Sequence, residues 1–483
     1  MTGKEAEELS HEELLEAVRR LLRENEQLQK EIESRDRQLE SQGREIERMR
    51  RLVDELQRKA KRQAAPFSKG DPKPEPKKCG RKAGADYGIK AYRSVPPRID
   101  EEYDARLPRS CPCCGGEIEF LKVERQFQAE VPRKPIWRQF NIEIGKCSSC
   151  HHRVQGRHPL QTSQALGAAA SQLGPNAQAV VVHLNKDAGA PYGKITRFFE
   201  AVFGISLSRG GAAQVILRAA ERCEGTYRQI LVVVRRSRVV YPDETGWRVA
   251  AILRWLWTFV TGSAVAYVIR DSRGGEVPEE VLGREYAGIL GHDGWAPYDN
   301  LVNATHQQCL AHLLRRCREI LEFATRGAVR FPRQVKALLQ DALALRDRRD
   351  AGEISTHGLA VATGRLESRM DRLLMWKRTN EANERLAKHI DRHRDEVFTF
   401  LEHPEVEATN WPAEQAIRPA VVNRKVWGGN RTWEGAHAQE VLLSVLRTCA
   451  KQGRDGMEFL NRTLRADSPR KLPRLNLPEP APG

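Results

Sequence analysis

Between Glu5 and Ala60 no proline interrupts a stretch dense in Glu, Arg, Gln and Leu, and its apolar residues keep a seven-residue repeat. With Leu14, Leu21, Leu28, Met49 and Leu56 at d, the a positions fall on Val18, Ile32, Leu39, Ile46 and Val53; Asn25, Arg35 and Gln42 are the polar exceptions. A stripe this narrow covers a second helix rather than a globular core, and β-branched residues at a with leucine at d favour two strands. Asn25 sets the register, because its amide finds a partner across a parallel pair and is stranded in other arrangements. Residues 1–60 therefore read as a coiled coil that dimerises the chain. The alternative is one amphipathic helix folding back on its own domain.

The 483 residues exceed the roughly 250 to 300 at which one core splits, so several domains are expected. Lys plus Arg number 80 against 64 acids, a net +16 that favours a polyanionic partner such as nucleic acid. No apolar run approaches the roughly 18 residues of a membrane span. The polar N-terminus lacks a signal-peptide core, which predicts a cytoplasmic, reducing setting where cysteines serve metal before disulfides. Residues 61–103 form a basic, Pro/Gly-rich linker: eleven Lys or Arg against three acids up to Arg98 give 11 − 3 = +8. It is either a solubilising spacer or an arm that tracks DNA phosphates, with Lys77, Lys78, Arg81 and Lys82 as contacts.

In residues 104–158, Cys111-Pro-Cys113-Cys114 and Cys147-Ser-Ser-Cys150 each contain Cys-x-x-Cys, the spacing with which one tight turn offers two thiolates to a tetrahedral zinc. Cys111, Cys114, Cys147 and Cys150 make a closed structural site, while Cys113, His151 and His152 compete as ligands. Strand-like text at 119–128 and 137–144 suggests a hairpin between the turns. Residues 159–229 read as helical, and Tyr192 to Phe203, Gly204-Ile-Ser, then Leu207 to Ala219 has the rhythm of a helix-turn-helix for DNA.

Strands are expected at 231–234, 239–241, 248–253, 255–261, 264–269, 286–290 and 306–310. Asp243 and Asp293 sit where apolar strand text ends, and Glu414 follows Pro412, which suits the first turn of a helix begun by Asn410 or Trp411. Two strand-borne aspartates and a helix-borne glutamate are hard oxygen ligands suited to two Mg²⁺ or Mn²⁺ ions, with Arg418, Arg424 and Lys425 to hold phosphates. Glu244 competes with Asp243, but adjacent strand residues face opposite ways, so one of them reaches a metal. Trp427 or Trp433 are candidates to stack on a base.

In this order, the coiled coil, the Gly-Arg-Lys linker, the twin cysteine turns, Asp243-Glu-Thr, Asp293-Gly-Trp, Cys309-Leu-Ala-His312 and Asn410-x-x-x-Glu414-x-x-x-Arg418-Pro resemble transposases of the insertion sequence 66 family. The resemblance spans nearly the whole chain. It implies a bacterial, nucleoid-associated DDE transposase that binds the terminal inverted repeats of its element and target DNA, cuts and transfers strands, and has small accessory proteins. The fold class it implies is multidomain α/β. An RNase H-like core, a mixed sheet flanked by helices over residues 230–465, carries Asp243, Asp293 and Glu414 and a helical insertion at about 318–402. A flexible tail covers 466–483.

Two rivals share parts of this text. His312-Leu-Leu-Arg315 matches a tyrosine-recombinase element, but no tyrosine follows Tyr298 to serve as nucleophile. A catalytically inactive, zinc-containing dimeric DNA-binding regulator would keep the coiled coil, the arm and the cysteines, yet has no need of the acid triplet.

Overall fold

A computed structural model describes residues 96–477 other than 130, 132–133, 167–171 and 467–470, together with positions 15–16, 18–20, 22–30, 32, 35, 39, 42, 45 and 49. The chain divides into two compact units, Met1–Phe127 and Gln128–Gly483. In the first, every described position from 15 to 49 is helical, and Val18, Leu28, Ile32, Leu39 and Met49 are exposed. The heptad stripe thus has no cover among the described residues of a single chain. Leu14, Leu21, Ile46, Val53 and Leu56, and the linker contacts Lys77, Lys78, Arg81 and Lys82, lie outside the described residues.

The second unit opens with a short antiparallel pair, β1 (Ile144–Lys146) and β2 (Arg153–Gln155). These strands flank the second cysteine turn. The expected hairpin between the two turns is absent, since residues 119–128 form no strand: Phe120, Leu121 and Val123 are exposed, with no apolar face to bury. Three helices follow, α1 (Pro175–Lys186), α2 (Tyr192–Phe203) and α3 (Arg209–Arg236). Gly204, left-handed at φ 65°, ends α2, and the Ser208 hydroxyl accepts from the Gly211 amide to start α3. The helix pair expected near 192–219 is present, but α3 runs to Arg236. It absorbs 231–234, expected as a strand, because Tyr227, Ile230, Val233 and Val234 continue its buried face at helical spacing.

Five strands form one mixed sheet in the order β5-β4-β3-β6-β7. They are β3 (Val239–Val249), β4 (Ile252–Val260), β5 (Val265–Arg270), β6 (Ile289–His292) and β7 (Thr305–Gln308), with α4 (Glu276–Leu282) between β5 and β6. β3, β4 and β5 are antiparallel neighbours, whereas β3–β6 and β6–β7 are parallel. The expected strand 248–253 is a hairpin bend instead: Ala250 and Ala251 take φ 51° and 65° between β3 and β4.

After β7, α5 (Leu310–Phe323), α6 (Arg330–Asp350), α7 (Thr356–Leu374) and α8 (Glu381–Arg392) gather around a core of their own, including Leu313, Cys317, Val335, Leu338, Met370 and Ile390. The chain then returns through α9 (Trp411–Trp427), α10 (Trp433–Lys451) and α11 (Gly456–Arg465). α10 satisfies the edge of the sheet. Thr448, Ser444 and Glu440 accept from the amides of Val265, Tyr267 and Ile269 at 3.0, 2.9 and 2.5 Å. The match is geometric, since four helical residues rise about 6 Å and two strand residues about 6.7 Å. The expected flexible tail also docks in part: Leu475 is buried, and Asn476 exchanges two hydrogen bonds with Gln452. Among the described residues no helix is long and apolar enough to cross a membrane.

Candidate active site

β3 and β6 pair only at Val239–Ile289 and Val240–Leu290, and the two strands part beyond that point. Asp243 and Asp293 each lie three residues past the last pair. Glu414 enters from the first turn of α9, where its amide donates to the Asn410 carbonyl at 3.0 Å. Asp243 is pushed up to about 8, first by burial, then by the charges of Glu244, Asp293 and Glu414. The three sequence-expected acids therefore share one electrostatic neighbourhood. His312 of α5 belongs to it as well: its Nε2 is 3.9 Å from Glu414 Oε1. Burial lowers the His312 pKa, Asp293 and Glu414 raise it, and Arg315 and Arg316 work against them.

Glu244 faces elsewhere. Its Oε1 accepts from Arg273 Nε and Nη2 at 2.9 and 2.7 Å, and its Oε2 accepts from the Tyr298 hydroxyl at 2.9 Å. Arg273 lies against the rings of Trp295 and Trp255, 4.0 and 4.9 Å from their centroids. The alternation of a strand divides the neighbours, giving Asp243 to the crevice and Glu244 to a closed ion pair.

Around Asp293 the surroundings are tightly fixed. Its Oδ1 accepts from the Trp295 amide at 3.0 Å, and Gly294 takes φ 83°. Behind it, the Gly294 amide donates to His292 Nδ1 at 3.1 Å, so Nε2 carries the proton and donates to His306 Nδ1 at 2.9 Å. His306 Nε2 in turn donates to the Leu301 carbonyl at 3.3 Å. Burial first, and then the nearby His306, pushes His292 down to about 3, so it is neutral. Glu396, although burial opposes it, is held at about 2 by hydrogen bonds from His393 and Gln308. His292, His306 and Glu396 stand close enough to suggest a metal site, as do Cys309, His312 and Glu414. In the first group these internal bonds already use both nitrogens of His292 and of His306 and the Oε2 of Glu396. In the second, Cys309 is buried and its sulfur accepts from the Asn410 amide at 3.1 Å.

Of the expected phosphate-holding cations, Arg424 is engaged within the fold, bonded to Thr245 at 3.0 Å and to the Gly246 carbonyl. Arg418 reaches Gln415 at 3.3 Å. Trp427 packs edge-on against buried Trp247 at 5.7 Å, while Trp433 is about half exposed.

The cysteine turns are built alike. In each, the amide of the first cysteine donates to the carbonyl five residues on, and the amide four residues on donates back: Cys111 with Gly116 and Gly115, Cys147 with His152 and His151. Backbone amides of Cys114 and Cys113 lower the Cys111 pKa, as those of Cys150 and Ser149 lower that of Cys147. Cys113 thus matches Ser149, and neither it nor the histidines occupies the place of the paired thiols.

A mixed sheet flanked by helices, with acids gathered where two parallel strands separate, defines a multidomain α/β protein with an acid-lined crevice. The family model described as "Transposase IS66 family" matches residues 170–438, and the chain belongs to that family. Among curated relatives it is similar to three uncharacterized proteins of Sinorhizobium fredii. It is 24% identical to y4qI over 309 residues (55% of each chain) and 23% identical to y4hP over 380 residues (71% of this chain, 67% of that one). With y4jO it shares 28% identity over 110 residues, 23% of this chain and 33% of that one. The chain thus spans about half the length of the first of these relatives and a third of y4jO.

Proposed function

We propose that the chain is a DDE transposase in which Asp243, Asp293 and Glu414 hold two divalent cations, Mg²⁺ or Mn²⁺, and cut and transfer DNA strands at the ends of its element. The observation that carries this reading is geometric: Asp243 and Asp293 follow the last pair of two separating parallel strands, and Glu414 joins them from the first turn of α9. Asp243, penalised by burial and by the charges of Glu244, Asp293 and Glu414, is relieved when hard cations enter beside it. The sheet order, antiparallel through β5-β4-β3 and parallel through β3-β6-β7, also supports an RNase H-like core.

When bound, such an ion pair supplies the Lewis acidity that activates water or a DNA 3′-hydroxyl and stabilises the leaving oxygen. Asp243 and Asp293 fix the cations from the two separating strands, and Glu414 closes the set from α9. Glu414 and His312, 34% and 25% exposed, are open enough to meet incoming DNA. The ordinary serine, tyrosine or cysteine nucleophile has no role here, so no covalent protein–DNA intermediate forms.

The remaining assignments extend this reading. Cys111, Cys114, Cys147 and Cys150 bind a structural zinc, supported by spacing and by the matching turns. Residues 1–60 pair two chains through the exposed heptad stripe. Lys77, Lys78, Arg81, Lys82, Arg418 and Lys425 contact phosphates of the terminal repeats or target, and small proteins of the same element are the further partners.

The test is a Mg²⁺-dependent cleavage assay on DNA bearing the flanking inverted repeats, with Asp243→Asn beside the unaltered protein. End binding is expected to stay close to normal while cleavage falls by several orders of magnitude. Equal loss of both activities removes the catalytic role. Binding without cleavage by the unaltered protein favours the inactive regulator.

A further inference from the structure

We propose that Asn410 is the positioning residue that registers the three acids against one another, acting through the backbone it holds. The inference rests on the reading of Asp243, Asp293 and Glu414 as one metal-binding site. Asn410 precedes α9 and is 2% exposed. Its Nδ2 donates to the Pro242 carbonyl at 2.8 Å, and Pro242 is the residue before Asp243. Its carbonyl accepts from the amide of Glu414 itself. Its own amide donates to Cys309 Sγ at 3.1 Å, while the Cys309 amide donates at 2.7 Å to the carbonyl of His292, the residue before Asp293. Within one chain of four hydrogen bonds, each acid is therefore either bonded directly or one peptide away.

The three segments come from distant parts of the sequence and need such a link. β3 and β6 no longer pair beyond Val240 and Leu290, so the sheet itself does not hold Asp243 at a set distance from Asp293. α9 returns only after the whole helical insertion. The neighbouring chain repeats the connection, with the Glu407 amide donating to the Tyr241 hydroxyl and the Leu310 amide to the Ala408 carbonyl. Among the described residues, Asn410 alone is hydrogen-bonded to Pro242, Cys309 and Glu414 together.

The chemistry of the side chain is specific. Pro242 O is an acceptor, so the group facing it must be a donor, and asparagine offers one on a stem short enough to stay beside its own backbone. Aspartate, of the same shape, sets one oxygen against another. At Cys309 the requirement is an acceptor, which serine keeps and valine removes.

Full-length Asn410→Asp, Cys309→Val and Cys309→Ser are compared with the unaltered chain and Asp243→Asn by Mn²⁺ titration calorimetry and hydrogen exchange. Asn410→Asp is expected to bind Mn²⁺ at least about tenfold more weakly, the range seen when partners behind metal ligands are lost. Exchange should quicken at 240–246 and 406–416 but not in α3 or α10. Cys309→Val should follow in the same direction, and Cys309→Ser should restore most of the affinity. Unchanged Mn²⁺ affinity in Asn410→Asp, or equal loss of protection throughout the unit, overturns the proposal. If the unaltered chain takes up no Mn²⁺, or Asp243→Asn binds as well as it does, the active-site reading fails. The exchange at 240–246 and 406–416 then decides by itself whether Asn410 couples the segments.

Discussion

The histidine cluster and the acid crevice share a strand end, His292 belonging to one and Asp293 to the other, yet their polar atoms are treated in opposite ways. Both nitrogens of His292 and of His306 are hydrogen-bonded, and Glu396 has two donors. In the crevice, Asp243 has one amide donor, from Glu244, and three acids pressing on it. The two sites thus differ in what surrounds their polar groups: hydrogen-bond partners in the histidine cluster, and burial with like charges around Asp243. A buried acid raised by neighbouring carboxylates is the kind of group found at functional sites, and that contrast with the histidine cluster supports the cation-binding role proposed for it.

The widest separation between the regions should come with pH. Because the folded pKa of Asp243 is raised, its favourable contribution is complete below the unfolded value near 4 and is lost as pH climbs toward about 8. The loss is at most about 1.4 kcal/mol per pH unit. Urea unfolding of cation-free protein at several pH values should show this decline, Asp243→Asn should flatten it, and Mg²⁺ should restore stability only with the aspartate present. A slope unchanged by Asp243→Asn would place the strain elsewhere. Next in size is Gly294→Ala, at the joint of the two regions. A Cβ there meets Gln308 Oε1 at 2.4 Å and His389 Cε1 at 2.8 Å, in a left-handed conformation that alanine resists. A cost of about 3 kcal/mol is expected, with cleavage reduced more than DNA binding; a near-normal unfolding midpoint would show that the loop yields.

Much of this was legible in the sequence because it is carried by local chemistry. Asp243 and Asp293 stand where apolar text ends, and Pro412 marks the start of the glutamate helix. The registers that depend on packing were not. Residues 231–234 are as β-branched as any strand, and only the buried face begun at Ala212 makes them helix. Nothing in Ala250-Ala251 announces a bend at positive φ, a place usually taken by glycine or asparagine. Asn410 was visible as a helix start, but its reach to Pro242 and Cys309 joins positions more than a hundred residues apart. Arg273 carried no motif at all.

Arg273 offers the finest cut between a satisfied acid and a strained one, because Asp243 and Glu244 are neighbours in one strand. The Glu244 side chain is 4% exposed and that of Arg273 is 39% exposed. Removing the guanidinium leaves a buried carboxylate with only the Tyr298 hydroxyl, and solvent on the arginine side softens the penalty. Arg273→Ala should therefore cost about 2 kcal/mol, measured by urea unfolding, while the Mg²⁺ concentration for half-maximal cleavage stays the same. Arg273→Lys should recover less than half of the loss, since one ammonium cannot match the two donors now aimed at Oε1 or lie as flat between Trp255 and Trp295. If Arg273→Ala instead shifts the Mg²⁺ dependence and spares stability, Glu244 is a fourth ligand of the crevice, and the division of labour between the two faces of β3 is wrong.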